Sequence, residues 1–89
     1  MKVVFSKKYE RQFDKLSNSK TRRQIVAAVK SIIDANRLED IPSIKKLKGF
    51  TNAYRVRIGQ FRIGLIKEPN GTILIAAFDQ RKDFYDIFP

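Results

Sequence analysis

The stretch YRVRIGQFRIG, residues 54–64, predicts two β-strands joined by a tight turn. Apolar and basic residues alternate on both sides of the turn, the pattern of strands that have one covered face. Glycine at the first central position of Gly59-Gln60 suits a type II′ turn, which fixes the register of the hairpin. In that register Arg57 lies directly opposite Arg62. Because like charges that face each other across two strands destabilise a sheet, the pair indicates a role beyond folding.

The same register assigns the residues of the hairpin to two faces. One face is apolar and the other is basic: the first carries Tyr54, Val56, Ile58, Phe61, Ile63 and Leu65, and the second carries Arg55, Arg57 and Arg62. A type I′ turn predicted at Asn70-Gly71 adds a third strand. Through that turn Ile66, Ile73 and Ile75 join the basic face. We therefore expect a face that is half basic and half aliphatic, and exposed apolar patches of this kind mark contact sites.

The residues ahead of the hairpin predict a strand and two helices. Residues 2–5 are rich in valine and phenylalanine, which is typical of a short strand. Ser6 is a candidate N-cap for the first helix, and Asn18 or Ser19 for the second, which should end near Asn36. In both helices apolar residues recur at spacings of three and four, as they do on one face of a helix.

These elements predict one α+β domain over residues 1–89. Two N-terminal helices should pack on one face of a small, mainly antiparallel sheet, and a short helix or tail should follow it. At 89 residues with 43% hydrophobic content, the chain is long enough for one modest core. The Asn-Gly and Gly-Gln turns between the last strands are the strongest local evidence for the meander.

Composition narrows the possible functions. Nineteen Lys and Arg against nine Asp and Glu give a net charge of +10, which attracts nucleic acid, an acidic protein or an anionic membrane. Without cysteine or histidine the chain has no disulfides, no thiolate zinc site and no Ser-His or Cys-His nucleophile. No segment resembles a signal peptide or membrane span, so we expect a cytoplasmic protein. No motif predicts a metal or other cofactor.

The chemistry that remains is phosphate chemistry carried by arginine, lysine and tyrosine. Arginine makes bidentate contacts to phosphate and stabilises negative charge that develops at phosphorus. Tyr85 or Phe84 could stack on a base, since every base has a π-face. Such a set suits RNA cleavage by attack of the 2′-hydroxyl, which requires neither a metal nor a covalent intermediate.

Two blocks of the sequence resemble a known protein family. LKGFTNAYRVRIGQFRIGLI (residues 47–66) and AAFDQRKDFYDIF (residues 76–88), with the Asn-Gly turn between them, are similar to the RelE/ParE superfamily of bacterial toxins from toxin–antitoxin modules. The resemblance implies a toxin that forms a hetero-oligomer with a tightly bound acidic antitoxin. In the RelE branch it also implies a metal-independent endoribonuclease that cuts mRNA in the decoding site of the ribosome.

The resemblance also implies site residues. Arg62 and Arg81 would contact the scissile phosphate, and Tyr85 would stack on or orient a base. Lys48, Arg55 and Arg57 match basic positions that bind RNA or phosphate, and the two arginines stand where the best-known member has lysine. Because arginine keeps its proton at working pH, the role of these two would be electrostatic. The aliphatic residues of the basic face, Ile66, Ile73 and Ile75, would contact the antitoxin.

Other functions remain open on the sequence. A ParE-like inhibitor of DNA gyrase would bind its target and cleave nothing. A degenerate member would keep antitoxin or RNA binding without toxicity, and a plain solvated basic face is the simplest interpretation of the arginines. The presence of Arg62, Arg81 and Tyr85 together favours the nuclease, because gyrase inhibition does not require them.

Overall fold

The computed structural model describes residues 1–89 as a five-stranded sheet and three α-helices. The elements in chain order are β1 (Val3–Phe5), α1 (Lys7–Lys15), α2 (Ser19–Asp34), a 3₁₀ turn (Leu38–Asp40), β2 (Ile44–Lys46), β3 (Ala53–Ile58), β4 (Phe61–Lys67), β5 (Ile73–Gln80) and α3 (Arg81–Ile87). The strand order is β1-β5-β4-β3-β2. Only β1 runs parallel to its neighbour, β5, so the predicted α+β class with a mainly antiparallel sheet is confirmed. None of the helices is long and apolar enough to cross a membrane.

Both N-terminal helices begin at the predicted caps. The Ser6 hydroxyl accepts a hydrogen bond from Tyr9 N at 2.9 Å, and Asn18 Oδ1 accepts one from Thr21 N at 2.9 Å. Each bond satisfies one of the backbone donors that a helix leaves free at its first turn. The second helix ends at Asp34, close to the predicted position.

The main core lies between the two N-terminal helices and one face of the sheet. It contains eleven buried residues: Tyr9, Ile25, Val29, Ile32, Ile41, Val56, Ile63, Leu65, Ile73, Ile75 and Phe78. Removing this apolar surface from water is the main source of stability for a domain of this size.

Gln12 on α1 extends the sheet where β1 stops. Its Nε2 donates to Phe78 O at 2.7 Å, and its Oε1 accepts from Phe78 N at 3.0 Å. The side-chain amide thus bonds to β5 as a neighbouring strand would, beyond the last pair of β1, Phe5 and Ile75. This contact fixes the end of β5, from which α3 and Arg81 begin.

The first hairpin has the predicted register. Arg57 pairs with Arg62, and Ile58 pairs with Phe61. Gly59 has a φ of +54°, whereas the φ of Gln60 is negative. A type II′ turn requires a positive φ at its first central residue only.

The second hairpin differs from the prediction of a type I′ turn at Asn70-Gly71. Gly71 N donates to Glu68 O at 2.8 Å and Glu68 N donates to Thr72 O at 2.8 Å, and Gly71 has a φ of +87°. The loop therefore has three residues, with Pro69 in the position that its fixed φ favours and glycine in the left-handed position that closes the turn. The prediction overlooked Pro69.

The longer loop shifts the pairing by one residue and turns two isoleucines to the other face. Leu65 pairs with Ile75, and Lys67 with Ile73. Ile73 and Ile75 are 1% and 0% exposed and belong to the main core. The expectation that they lie on the basic face and contact an antitoxin there is therefore wrong, because a one-residue slip exchanges the two faces of a strand.

A β-bulge then restores the predicted pairing near the arginines. The register shifts between Gly64 and Leu65, so that Gly64 pairs with Ala77 and Arg62 with Asp79. Bulges reorient side chains at the ends of strands. Because of the bulge, β5 directs Ile73 and Ile75 into the core near its start and still pairs Asp79 with Arg62 near its end.

Helix α3 covers the aliphatic half of the basic face. Phe84 and Phe88 are 0% and 4% exposed and form a second small core with Ala53, against which the half-buried Ile66 packs. A Cβ on Gly64 would lie 2.6 Å from the ring of Phe88. Glycine at this position therefore lets the aromatic ring rest directly on the strand.

Replacing that glycine should destabilise the fold in a way that depends on Phe88. Gly64→Ala should lower the free energy of unfolding by about 1–3 kcal/mol, because a methyl group in contact with the ring overpacks the second core. In a Phe88→Ala background the same change should cost less than about 0.5 kcal/mol, since the clash is gone. Urea denaturation of the four variants measures both values. Equal costs in the two backgrounds would contradict the contact.

Candidate active site

Five of the six predicted catalytic and phosphate-binding residues line one groove. The groove has a volume of about 300 Å³, and its lining residues are Arg55, Arg57, Arg62, Arg81 and Tyr85. Strands β3 and β4 and helix α3 each contribute to it. The sixth residue, Lys48, is exposed in the loop between β2 and β3 and is not part of this lining.

Backbone contacts fix the elements that carry these side chains. Arg81 N donates to Gln60 O at 2.7 Å, which ties the first residue of α3 to the turn of the first hairpin. Arg55 Nη1 donates to Ser43 O at 3.2 Å, which holds that guanidinium toward the edge of the sheet. The arginines are therefore brought together by strand register and by one turn-to-helix bond.

Arg62 is the buried member of the cluster, with 6% of its surface exposed. Its Nη1 donates to Gly59 O at 3.1 Å and to Phe61 O at 2.9 Å. Burial lowers the pKa of this guanidinium, and repulsion from Arg57, Arg55 and Arg81 lowers it further. Arginine still carries its charge at working pH. Because folding lowers the pKa of Arg62, keeping this side chain charged reduces the free energy of unfolding. That cost is present at every pH below the folded-state pKa and disappears only in strongly alkaline solution, where the side chain loses its proton.

No carboxylate neutralises the cluster. The two ion pairs of the chain both involve Arg37, which binds Glu39 and Asp40. Asp79 is opposite Arg62 in the sheet but uses Oδ1 to accept a hydrogen bond from Gln80 N at 2.7 Å. Four guanidinium groups therefore share a groove without a countercharge from the protein.

Such an arrangement can bind an anion that has several oxygens. Guanidinium groups bind phosphate through paired N–H donors. When they are fixed in advance and partly buried, they stabilise charge that develops on those oxygens during a reaction. Across the chain, no three side chains of the histidine, cysteine, aspartate or glutamate type come together as metal ligands.

Tyr85 adds an aromatic surface to the groove. Tyr85 is 56% exposed, and its ring makes a T-shaped contact with that of Phe84, with a centroid distance of 5.0 Å and an interplanar angle of 81°. Phe84 is fully buried, so it fixes the neighbouring ring while leaving much of it in solvent. An exposed and anchored aromatic side chain can stack on a nucleobase.

A second and larger groove adjoins the first and was not predicted from the sequence. Its volume is about 690 Å³ and it is lined by Gln60, Phe61, Gln80, Arg81, Lys82 and Tyr85. The predicted hairpin register already placed Phe61 at the end of its strand, beside the turn. That register also pairs Phe61 with Gln80, as the structure does. The step that the sequence did not show is how α3 packs beside these two residues, with Arg81, Lys82 and Tyr85 facing the same groove.

Removing the buried charge should stabilise the protein. Arg62→Met should raise the free energy of unfolding by about 1 kcal/mol, because an apolar side chain of similar length avoids both desolvation and repulsion. Arg57→Met, on an exposed residue, should change it by less than about 0.5 kcal/mol. Urea denaturation in 20 mM and 500 mM NaCl measures both changes in the free energy of unfolding. The gain in Arg62→Met should be smaller at the higher salt, because salt screens the repulsion between the arginines. A loss of stability in Arg62→Met would instead identify the guanidinium as a structural anchor.

Comparison with known proteins shows that the chain is similar to RelE toxins. No protein-family model matches it. A toxin of Methanocaldococcus jannaschii, Toxin RelE3, is 37% identical over an alignment of 91 residues that covers all of both chains. The crystal structure of the RelB-RelE antitoxin-toxin complex from Methanococcus jannaschii contains a chain with 30% identity and a TM-score of 0.76, over 97% of this chain and 99% of that one. The isolated E. coli RelE toxin has 16% identity and a TM-score of 0.70, over 89% and 82% of the two chains, and so shares the fold.

Proposed function

Because the chain belongs to the RelE family of toxins, we propose that it is the toxin of a toxin–antitoxin module and that it acts as an endoribonuclease on ribosome-bound mRNA. The observation that carries the proposal is the groove in which four arginines and one tyrosine meet without a carboxylate. A surface that only needed to be soluble would not bury one of those charges.

The proposed reaction is an internal transfer at phosphorus. The 2′-hydroxyl of one nucleotide attacks the adjacent phosphate, the bond to the 5′-oxygen of the next nucleotide breaks, and a 2′,3′-cyclic phosphate and a free 5′-hydroxyl form. Negative charge grows on the phosphate oxygens in the transition state. Arg62 and Arg81 would bind those oxygens, and Arg55 and Arg57 would strengthen the field around them.

The groove supplies electrostatic stabilisation more clearly than proton transfer. Arginine does not act as a base at neutral pH, and Tyr85 is the one other polar side chain in the lining. The proton of the 2′-hydroxyl would therefore pass to Lys48, to Tyr85, to the phosphate itself or to a group on the ribosome. The departing 5′-oxygen would take up a proton from one of these groups or from water. Because the groove lacks a clear general base, a ribosomal group that accepts the proton would explain why cleavage requires the ribosome.

The charge of the chain fits both proposed partners. With a net charge of +10, the protein would be drawn to ribosomal RNA and to mRNA in the cytoplasm. An acidic antitoxin would compete for the same charge, and the M. jannaschii relative was crystallised as an antitoxin–toxin complex. Ile66 stays a candidate antitoxin contact, but α3 covers part of it.

Replacing one phosphate ligand should abolish most of the activity. Arg81→Ala should slow single-turnover cleavage of mRNA on programmed ribosomes about a hundredfold or more, because it removes a transition-state contact. Primer extension locates and times the cuts. Arg37→Ala, a change at an exposed arginine that already has acidic partners, should cleave as the parent protein does.

The same assay tests the chemistry and the alternative target. A 2′-deoxy nucleotide on the 5′ side of the scissile phosphate should block cleavage, since the attacking group is missing. Unchanged cleavage by Arg81→Ala would refute the assigned role of the groove. If the folded, antitoxin-free parent protein makes no cuts on ribosomes, the nuclease proposal fails, and inhibition of DNA gyrase in a supercoiling assay becomes the next test.

A further inference from the structure

The larger of the two grooves contains polar groups that phosphate chemistry does not use. It shares Arg81 and Tyr85 with the arginine groove, so a nucleotide whose phosphate occupies one groove would extend its base toward the other. Its lining also includes two exposed glutamines, Gln60 and Gln80.

Both carboxamides are free of partners within the chain. The hydrogen bonds of these two residues use backbone atoms: Gln60 O accepts from Arg81 N, and Gln80 N donates to Asp79 Oδ1. Gln12 shows the contrast, because both polar atoms of its side chain bind the backbone of Phe78. The amides of Gln60 and Gln80 therefore remain available to a ligand.

The backbone holds these two residues in fixed positions. Gln60 lies in the two-residue turn between β3 and β4, next to Gly59, whose positive φ defines that turn. Gln80 is the last residue of β5 and pairs with Phe61 across the sheet. A polar group on a rigid element binds with less loss of conformational entropy than one on a mobile loop.

We propose that this groove is a nucleobase subsite, in which a base stacks on Tyr85 and the carboxamides of Gln60 and Gln80 hydrogen-bond to its edge, with adenine preferred. A carboxamide offers one donor and one acceptor in a plane. Adenine presents a matching pair, N6–H with N1 or with N7, on both of its edges. Guanine, cytosine and uracil present such a pair on the Watson–Crick edge alone, so only adenine offers the carboxamides two edges. The inference rests on the proposed function in one respect, that the bound phosphate belongs to RNA.

Titration with single nucleotides tests the subsite without ribosomes or cleavage. The probes are adenosine, guanosine, cytidine and uridine 3′-monophosphates, each with one phosphate for the arginines and one base for the groove. In ¹⁵N-labelled protein, the adenosine nucleotide should shift the side-chain amide signals of Gln60 and Gln80. It should bind about fivefold or more tightly than the guanosine nucleotide, whose purine ring stacks in the same way.

Two variants separate base recognition from phosphate binding. The double variant Gln60→Ala/Gln80→Ala should bind the adenosine and guanosine nucleotides with equal affinity, while still binding all four nucleotides through the arginines. Asn36→Ala, which removes an exposed amide that lines a different groove, should keep the preference for adenine. Equal binding of the adenosine and guanosine nucleotides by the parent protein, or an unchanged preference for adenosine in the double variant, would overturn the subsite.

The two proposals fail separately. Preference for adenine in a protein that never cuts ribosome-bound mRNA would retain the subsite and remove the nuclease. Cleavage that depends on Arg81, in a protein whose Gln60 and Gln80 signals do not respond to any nucleotide, would retain the nuclease and remove the subsite.

Discussion

The buried guanidinium of Arg62 has no acidic partner, and the geometry of the whole site follows from that constraint. Two backbone carbonyls accept hydrogen bonds from its Nη1. Burial lowers its pKa, and repulsion from three other arginines lowers that pKa further. A buried charge without a countercharge costs stability. The simplest physical account is that the countercharge comes from the ligand, and phosphate is an anion whose geometry guanidinium groups match.

The rest of the molecule keeps that charge in place. The turn at Gly59 sets Arg57 opposite Arg62, and the bond from Arg81 N to Gln60 O brings α3 to the same end of the sheet. Phe84 and Phe88 then cover the aliphatic half of this face, so that the arginine half alone stays open. Gln12 holds the end of β5 from the opposite edge. The packed side chains of the second core and the arginine groove thus occupy different halves of one sheet face.

The sequence predicted most of the site because its information is local. Alternation and a glycine at the right turn position were enough to pair Arg57 with Arg62 and to place Arg55 beside them. Ile73 and Ile75 were assigned to the wrong face because Pro69 lengthens the second turn by one residue, and one residue reverses the facing of a strand. The groove with Gln60 and Gln80 depends on where the short helix α3 packs against the first hairpin, and that placement has no clear signature in the sequence.

Thermal unfolding in phosphate and in chloride at matched ionic strength tests most directly whether the arginine cluster is a phosphate site. A ligand at ten times its Kd adds about 1.4 kcal/mol to the stability of the native state, a shift in Tm of about 6–11 °C for a domain of this size. We predict a rise of this kind in phosphate for the parent protein and little or none for Arg62→Met combined with Arg81→Ala. The same Tm in both salts for the parent protein would contradict the account, because the arginines would then hold no phosphate.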